Sequence, residues 1–551
     1  MSFEYFYRKK ILFGFGKYKV LILFVFPPFL FTQLSAQSKK WEVTVGGKYN
    51  DFANSIIQCA DKGYAITGGT YSFNDSVNGD VYIIKLDSNG VLKWTRTIGG
   101  SGVDLGYSII QTKDKGYAVS GFTSSYGAGR NDFYVIKLDS VGNLQWTKTI
   151  GGNGDDESNS IVQTRDGGYG IAGTTYSYDS GNVNAYIVKL DSSGNFLWSK
   201  IIGTGLTWGF YMIGTKDGGF MITGLTNNCN ISVYRNYLAL KLDSMGNIQW
   251  EKSVGGDYYD YGYSVIQTKD GGYALTGWSD SFISGVPSLY VVKLDSSGTL
   301  QWGTAIGNYN NGYSIVQCND GGYIAAGWSQ FYGAGYGDVY LVKLDSSGVV
   351  LWTKTFGGDS LEKGYSIITT EDKGYAVAGF TKSYGSGNED VYIIKLDSNI
   401  SSCLTSGSGG IIGAGGSECD GAEYVIYKDS GNVGSGGIVD SGGILTNVCD
   451  LMTSYDTKKS VTNHLEIFPN PSSGIFTIQL SEVNVPYSIE VFNVLGEKVF
   501  SQSKIPIRTG TGGQNSTSKI DLSSQPNGIY FYRVFTESGG VVSSGKIVVE
   551  K

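Results

Sequence analysis

Carboxylates at regular spacing are the first residues of this 551-residue chain that could do chemistry. One loop position holds an acid in most copies of a repeated segment, and the acids are Asp51, Asp104, Asp156, Asp260 and Glu362. The remaining copies have Thr207 and Asn310 there. Paired carboxylates could hydrolyse or cleave a polysaccharide as general acid and base. A group repeated in this way is more typical of a fold device, so we interpret the acids as caps for loop backbone.

Other catalytic arrangements lack the residues they need. The chain has one histidine, His464, which lies outside the repeated segments. This excludes a Ser–His–Asp or Cys–His arrangement and a histidine-ligated metal within the repeats. No Walker loop, calcium-loop motif or CxxC spacing is present. We therefore expect no catalytic residue, no metal site, no cofactor and no enzymatic activity.

Aromatic residues that break the repeat are better candidates for a ligand-binding site. Trp208 replaces a residue that is usually polar, and Trp278 and Trp328 share a position that is glycine, phenylalanine, threonine or leucine elsewhere. Tyr258 and Tyr259 lie together in "DYYDYGYS". Rings concentrated in this way could stack on a sugar or dock a peptide. The alternative is that they fill space between neighbouring sheets.

A second aromatic set keeps the repeat. It occupies one longer loop and consists of Phe73, Tyr126, Tyr178, Phe282, Tyr332 and Tyr384. We expect these rings to pack beneath the loops, because a residue repeated at each turn of an array usually supports the fold.

The elements that position these residues come from a repeat of about fifty residues. "KLDS" occurs seven times, from Lys85 to Lys395, at a spacing of 52 residues with one step of 50. Each full unit holds four strand signals, such as "SIIQT", "GYAVSGF", "FYVIKLD" and "LQWTKTI", separated by glycine turns. Four short strands per unit are the content of one propeller blade. The sequence predicts an all-β fold with a seven-bladed β-propeller over residues 37–399.

The ends of the array predict how it closes. Six fourth strands carry a tryptophan nine residues after the KLDS lysine, but the seventh KLDS runs into "NISSCLTSGSGG". The missing strand stands at the front of the chain as "WEVTVGG", which begins at Trp41. We expect it to complete the last blade and so remove an open edge. An open solenoid is the alternative, and it would need capping units.

The repeat also resembles known families. "KLDSxGxxxW" resembles the tryptophan-docking repeat of quinoprotein propellers, with one residue fewer between aspartate and glycine. "DGGYAxxG" with "KLDSxG" resembles the delta-60 repeat, a propeller-like unit. These resemblances imply the fold and bring no cofactor site.

Residues 1–36 are typical of a signal peptide. "RKK" precedes the apolar run "VLILFVFPPFLF", and "LSAQ" offers small residues before a cut after Ala36. The run is short for a bilayer span and contains Pro27 and Pro28, so we do not expect an integral membrane protein. A retained anchor is the alternative. Removing this segment takes the net charge from −7 to −11, which disfavours nucleic-acid partners.

Residues 400–463 are rich in glycine and serine and predict a flexible linker with one strand at "EYVIY". Cys403, Cys419 and Cys449 lie in it, and export would permit a disulfide among them. The sequence leaves their pairing open.

Residues 464–551 alternate like a small antiparallel β-sandwich. "FPNP", "VLGEKV", "IDLSSQPNGIYFYRV" and the closing "GKIVVEK" closely resemble the type A C-terminal sorting domain of the type IX secretion system. The matching residues include Pro469, Asn470, Pro471, Gly496, Gly528, Tyr530 and Lys546. The resemblance implies a Bacteroidetes-type bacterium, the secretion machinery as partner, and a cargo that crosses the outer membrane and is released or attached to the cell surface.

Three functions agree with these observations. The first is an exported, non-enzymatic propeller that binds a surface glycan or a protein through its loop-bearing face. The second is a hydrolase or lyase acting on polysaccharide with loop carboxylates. The third is a passive structural or adhesive surface protein, which the near-identity of the repeats would favour.

Overall fold

The structure is a computed structural model that describes residues 40–73, 78–178, 182–203, 206–227, 234–283, 285–307, 309–401, 411–414, 417–420, 425–427, 432–434, 438–440, 444–447, 464–468, 472–481, 487–493, 497–505, 515–536 and 541–551. The signal-peptide residues 1–36 lie outside this part of the chain. The chain divides into two compact units, Met1–Ser454 and Tyr455–Lys551.

The first unit is all-β in its described residues and repeats one four-stranded antiparallel sheet. A single strand, β1 (Trp41–Gly46), precedes six complete sheets. Sheet 1 is β2 (Asp51–Gln58), β3 (Tyr64–Thr70), β4 (Asp80–Leu86) and β5 (Leu92–Gly99). Sheet 2 is β6 (Asp104–Gln111), β7 (Tyr117–Thr123), β8 (Asp132–Leu138) and β9 (Leu144–Gly151). Sheet 3 is β10 (Asp156–Gln163), β11 (Tyr169–Thr175), β12 (Asn184–Leu190) and β13 (Phe196–Gly203).

The later sheets follow the same order. Sheet 4 is β14 (Thr207–Gly214), β15 (Phe220–Thr226), β16 (Asn236–Leu242) and β17 (Ile248–Gly255). Sheet 5 is β18 (Asp260–Gln267), β19 (Tyr273–Ser279), β20 (Ser288–Leu294) and β21 (Leu300–Gly307). Sheet 6 is β22 (Asn310–Gln317), β23 (Tyr323–Ser329), β24 (Asp338–Leu344) and β25 (Val350–Phe356). Sheet 7 is β26 (Glu362–Thr369), β27 (Tyr375–Thr381), β28 (Asp390–Leu396) and β1.

The N-terminal strand completes sheet 7, as the sequence predicts. β1 pairs antiparallel with β28 from Trp41 opposite Lys395 to Val45 opposite Val391. Sheet 7 in turn contacts sheet 1 through β27 and β2. The first strands of neighbouring sheets contact one another from β2 to β26, and β26 contacts β2.

Neighbouring sheets are joined by the repeated tryptophan, and the hydrophobic core lies between them. Trp146 of β9 packs edge-on against Tyr169 of the next sheet at 5.8 Å between ring centroids. Its ring also covers Gly194, where φ is +79° and a Cβ would lie 3.0 Å from the indole. Glycine is required there by both the backbone conformation and the close approach.

The KLDS lysine is buried at the end of the strands where the tight turns lie, and Lys137 is opposite Trp146 in the register. Lys137 is 4% exposed and its Nζ contacts Asp114 at 2.9 Å and the Leu138 carbonyl oxygen at 2.9 Å. All seven sheets contain the pair at 2.8–3.0 Å, which is Lys85–Asp61, Lys137–Asp114, Lys189–Asp166, Lys241–Asp217, Lys293–Asp270, Lys343–Asp320 and Lys395–Asp372. The pair ties the first turn of each sheet to its third strand.

The segment 400–463 differs from the flexible linker that its composition predicts. Its described residues form six short strands, β29 (Ile411–Ala414), β30 (Ser417–Asp420), β31 (Val425–Tyr427), β32 (Asn432–Gly434), β33 (Ile438–Asp440) and β34 (Ile444–Asn447). They pair in this order with β21, β17, β13, β9, β5 and β1. Each adds a fifth strand to an outer edge, whose unpaired backbone groups are a template for pairing. Glycine-rich composition did not reveal this because the strands are only three or four residues long.

The second unit contains two antiparallel sheets in its described residues. The strands are β35 (His464–Phe468), β36 (Ile475–Ser481), β37 (Tyr487–Phe492), β38 (Lys498–Ile505), β39 (Asn515–Asp521), β40 (Gly528–Thr536) and β41 (Val541–Val549). One sheet has the order β35-β36-β39 and the other β38-β37-β40-β41. Phe476, Ile489, Ile520 and Val534 are among the residues of their shared core. Across the described parts of the whole chain, no helix has the length and hydropathy of a membrane span.

Candidate binding site

The repeated acids cap the longer loops, which agrees with their structural interpretation. Asp104 accepts hydrogen bonds from the Gly100 backbone N–H at 2.8 Å and from Ser125 Oγ at 2.6 Å. The same loop N–H bond is made by Asp51, Asp156, Asp260 and Glu362. A second acid set, which the sequence pattern did not single out, begins the third strand of several sheets and includes Asp132, Asp338 and Asp390. Asp132 accepts hydrogen bonds from the Ala128 and Gly129 N–H groups.

Burial sets the protonation of these caps. Desolvation raises the pKa of Asp260 to about 6, against hydrogen bonds from Ser279, Gly256 and Ser281 that lower it. Desolvation also raises the pKa of Asp338 to about 6, and the nearby Glu362 carboxylate adds to this effect. Acids that recur as caps in several sheets stabilise loops and need no catalytic role.

The repeated aromatics pack beneath the loops, as expected. Tyr126 lies 6.3 Å from Tyr134 between ring centroids, and its hydroxyl donates to the Gly99 carbonyl oxygen at 3.0 Å. Equivalent ring contacts to the third strand join Phe73–Tyr82, Tyr178–Tyr186, Phe282–Tyr290, Tyr332–Tyr340 and Tyr384–Tyr392.

Trp278 belongs to a different environment, on the second strand of sheet 5. It lies opposite Tyr261 in the register, and the two rings stack at 4.7 Å with an interplanar angle of 9°. Its Nε1–H donates to the Tyr263 hydroxyl at 3.1 Å. Burial raises the pKa of Tyr263 well above its usual range, so this hydroxyl stays protonated at neutral pH.

Trp328 occupies the equivalent position in sheet 6, opposite Asn311. With the Asn311 amide oriented to satisfy both neighbours, its oxygen accepts from Trp328 Nε1 at 3.2 Å. The Lys363 ammonium lies 4.6 Å from the centre of the Trp328 ring system. Trp328 therefore presents an indole that is fixed by an amide and covered by a cation.

Rings on the first strands connect these tryptophans across four sheets. Ring centroids are 5.2 Å apart for Phe210–Tyr263, 5.5 Å for Tyr263–Tyr313 and 5.0 Å for Tyr313–Tyr365. We call the half-buried set formed by sheets 4 to 7 the aromatic cluster, and it comprises Phe210, Tyr261, Tyr263, Trp278, Tyr313, Trp328 and Tyr365. The sequence pattern did not single out the first-strand rings. Their signal was the tyrosine of the recurring "GYS", three residues beyond the loop-capping acid, where Asn54 and Asn159 stand in sheets 1 and 3.

Of the remaining candidate residues, one contacts this cluster and two form a separate group. Trp208 packs edge-on against Phe210 at 5.6 Å. Tyr258 and Tyr259 are 49% and 38% exposed and both contact Tyr234, at 5.8 and 5.0 Å. The structure thus brings Trp208, Trp278 and Trp328 to the cluster and places the two tyrosines in a separate exposed group. That any of them binds a ligand stays a prediction.

The candidate sorting residues lie in the second unit. Tyr530 is buried and its hydroxyl donates to the Pro526 carbonyl oxygen at 2.8 Å. Gly528 begins β40, and Lys546 is exposed on β41 opposite Phe531. Pro469, Asn470, Pro471 and Gly496 lie outside the described residues.

Comparison with known proteins gives two kinds of result. Residues 466–550 match the family described as "Secretion system C-terminal sorting domain". Regulatory protein FlaEY of Caulobacter vibrioides is 26% identical over 164 residues, which cover 26% of this chain and 17% of that protein. The chain therefore spans about a sixth of this relative.

Solved structures with a TM-score below 0.5 are also similar in part. PorZ of Porphyromonas gingivalis, described as an essential surface component of the type-IX secretion system, is 11% identical with a TM-score of 0.35, over 92% of this chain and 60% of PorZ. Sqt1 of Chaetomium thermophilum is 11% identical with a TM-score of 0.39, over 65% and 97%. A protein of unknown function from Bacteroides caccae is 12% identical with a TM-score of 0.33, over 58% and 94%.

The family match covers the residues that carry the sorting motifs, from Glu466 to Glu550. It confirms the resemblance in "FPNP", "VLGEKV" and "GKIVVEK". This chain carries a type IX secretion C-terminal sorting domain and is secreted by that system to the cell surface or the extracellular space.

Proposed function

We propose that the seven sheets are the blades of a seven-bladed β-propeller. Support comes from contacts that join the last sheet to the first in the same way as other neighbours. The Glu371 N–H donates to Gln58 Oε1 at 2.9 Å, as the Lys113 N–H does to Gln163 at 2.9 Å. The Ile56 N–H also donates to Ser366 Oγ at 3.3 Å. In a closed array of this kind, the first strands surround the central axis and the aromatic cluster lies there.

This propeller is a non-enzymatic binding module that takes an extracellular glycan at the aromatic cluster. The observation that carries the proposal is the stack of Trp278 on Tyr261, fixed by the Tyr263 hydroxyl. Half-buried rings held by hydrogen bonds offer flat apolar faces beside polar groups, which is what a sugar ring with apolar faces and hydroxyl edges requires. Because the protein is secreted, the site is exposed to extracellular polysaccharides.

The two other functions have less support. A hydrolase or lyase needs carboxylates aimed at a ligand, whereas the repeated acids accept loop N–H bonds. A passive structural protein has no need for departures from its repeat, yet the aromatic departures gather in sheets 4 to 6. A protein ligand would use the same rings, and it is an outcome of the test below.

The test is a binding screen of the full chain against extracellular polysaccharides and peptides. We expect a polysaccharide to bind and the double variant Trp278→Ala/Trp328→Ala to bind at least tenfold more weakly, since each lost stacking contact is worth about 1 kcal/mol. Trp146→Phe is the matched control, because it alters a tryptophan that joins two sheets and lies outside the cluster. Unchanged binding by the double variant would contradict a site at the aromatic cluster. Binding of peptides alone would show that the ligand is a protein and not a glycan.

A further inference from the structure

We propose that the glycan is a polyanion whose carboxylate or sulfate groups are held by Arg235 and Lys363 at the two sides of the aromatic cluster. This inference rests on the proposed function and adds the chemical class of the ligand. It comes from two cations that approach the cluster from the sheets on either side of sheets 5 and 6.

Arg235 approaches from sheet 4, directly before β16. Its Nη1 donates to the Tyr261 hydroxyl at 2.6 Å, and its guanidinium carbon lies 5.8 Å from the ring centroids of both Tyr259 and Tyr261. The side chain is therefore oriented by the same tyrosine that stacks on Trp278. A planar guanidinium has further N–H groups that can bind a carboxylate or sulfate in a bidentate manner.

Lys363 approaches from sheet 7, on β26. Its ammonium lies 4.6 Å from the centre of the Trp328 ring system, and burial lowers its pKa. Among the described residues, no carboxylate lies within ion-pair distance of this ammonium or of the Arg235 guanidinium. A half-buried cation of this kind gains most from an anion that arrives with the ligand.

Two other cations at the same end of the strands are paired with carboxylates. Arg130 forms an ion pair with Asp155, and Lys382 lies 3.0 Å from Glu389. Arg235 and Lys363, by contrast, lie against rings of the cluster. Glu389 also attracts the Lys363 ammonium, but its carboxylate is already paired with Lys382.

The negative charge of the rest of the chain restricts the binding of a polyanion to the aromatic cluster. The formal net charge of the chain is −7, so its surface as a whole repels polyanions. An anionic glycan would therefore be attracted locally and would not coat the protein. The rings supply contact area, and the cations select for charge.

The test uses ligands that differ only in charge. Full-chain protein is titrated with polygalacturonate and with its methyl ester, and with dextran sulfate and dextran. We expect the anionic member of at least one pair to bind at least about tenfold more tightly than its neutral partner, because the neutral ligand forms no charged hydrogen bond with either cation. Arg235→Gln and Lys363→Met should each lose about tenfold in affinity for that anion. Lys216→Gln, which removes an exposed charge in a tight turn at the other end of the strands, should lose nothing.

The outcomes separate this inference from the proposed function. Equal affinity for the charged and neutral members overturns the polyanion, and so does full affinity in both Arg235→Gln and Lys363→Met. If a neutral glycan then binds and Trp278→Ala/Trp328→Ala abolishes that binding, the proposed function stands alone. Absence of binding to every glycan overturns both. Unchanged thermal unfolding of the two cation variants shows that any loss reflects the ligand contact.

Discussion

The two ends of the repeated strands keep the repeat to different degrees. At the end with the tight turns, all seven sheets bury the same lysine against the same aspartate. At the end with the longer loops, the capping acids recur, but the inner positions change from sheet to sheet. They are Asn54 and Asn159 in two sheets and tyrosine or phenylalanine in the others. The strict end supports the fold, and the variable end is where the proposed ligand would bind.

The two ends also treat carboxylates in opposite ways. Burial raises the pKa of Asp114, but hydrogen bonds from Lys137 and Thr112 outweigh it and lower the pKa to about 2. At the loop end, desolvation outweighs the loop hydrogen bonds, and the pKa of Asp260 rises to about 6. Aspartate therefore serves as an ion-pair partner with a lowered pKa at one end and as a loop cap with a raised pKa at the other.

The largest expected difference separates a tryptophan that keeps the repeat from one that breaks it. Trp146→Ala removes packing between sheets 2 and 3 and should lower the free energy of unfolding by about 3 kcal/mol. Trp278 lies outside the hydrophobic core clusters of the described residues, so Trp278→Ala should lower the free energy of unfolding by about 1 kcal/mol. Denaturant titration of both variants measures this. Equal losses would contradict the division between scaffold and site.

A smaller effect should appear in how stability depends on pH, because the aspartates of the two ends act on opposite sides of the pH of maximum stability. At the loop end, the folded pKa values of Asp260, Asp338 and Asp390 are about 6, above the ordinary 3.8. Their contribution to stability is complete below pH 3.8 and is lost as pH rises through 6. At the turn end, Asp114 and Asp217 have pKa values of about 2, so their contribution is present above pH 3.8 and is lost as pH falls through 2.

The midpoint temperature of thermal unfolding should therefore be highest near pH 4 and should fall toward both pH 2 and pH 7. Between pH 4 and pH 7 the ionisation of Asp260, which is fully buried, should lower the free energy of unfolding by an amount on the order of 2 kcal/mol. Each turn aspartate should contribute less, because these carboxylates are more than half exposed and screened by solvent. Asp260→Asn should make only the neutral limb less steep, and Asp217→Asn only the acid limb, because the other aspartates of each end remain. A profile that both substitutions leave unchanged would rule out this assignment.

The smallest expected effect compares two tyrosines of the loop end. Tyr126→Phe removes the hydrogen bond to the Gly99 carbonyl oxygen and should cost about 1 kcal/mol of unfolding free energy. Tyr258→Phe changes a half-exposed ring outside the repeated set and should stay within about 0.5 kcal/mol. Differential scanning calorimetry of the pair is sufficient. A larger loss at Tyr258 would mean that the exposed tyrosines are part of the scaffold.

Much of the scaffold follows from local pattern. The four strands per unit, the pairing of β1 with β28 and the capping role of Asp104 could each be predicted from spacing alone, because each depends on residues that recur at fixed distances. The buried lysine–aspartate pair could not. Its partners are 23 residues apart in sheet 2, and hydropathy predicts that a lysine is exposed.

The candidate site was only half visible in the sequence. Trp278 and Trp328 stand out because they break a repeat. Tyr263, Tyr313 and Tyr365 do not, because tyrosine is the usual residue at their position. Their contacts join residues about 50 positions apart on different sheets, and sequence spacing carries no signal for such contacts.

The sequence alone determined the all-β repeat, the strand that completes the last sheet and the sorting domain at the C-terminus. Short-range periodicity and motif order are sufficient for these. Only the tertiary structure decided that the glycine-rich segment adds strands to six sheet edges, and that Arg235 and Lys363 reach the same aromatic cluster. The physical reason is that strand edges and inter-sheet contacts satisfy groups distant in sequence, whose complementarity exists only once the sheets are side by side.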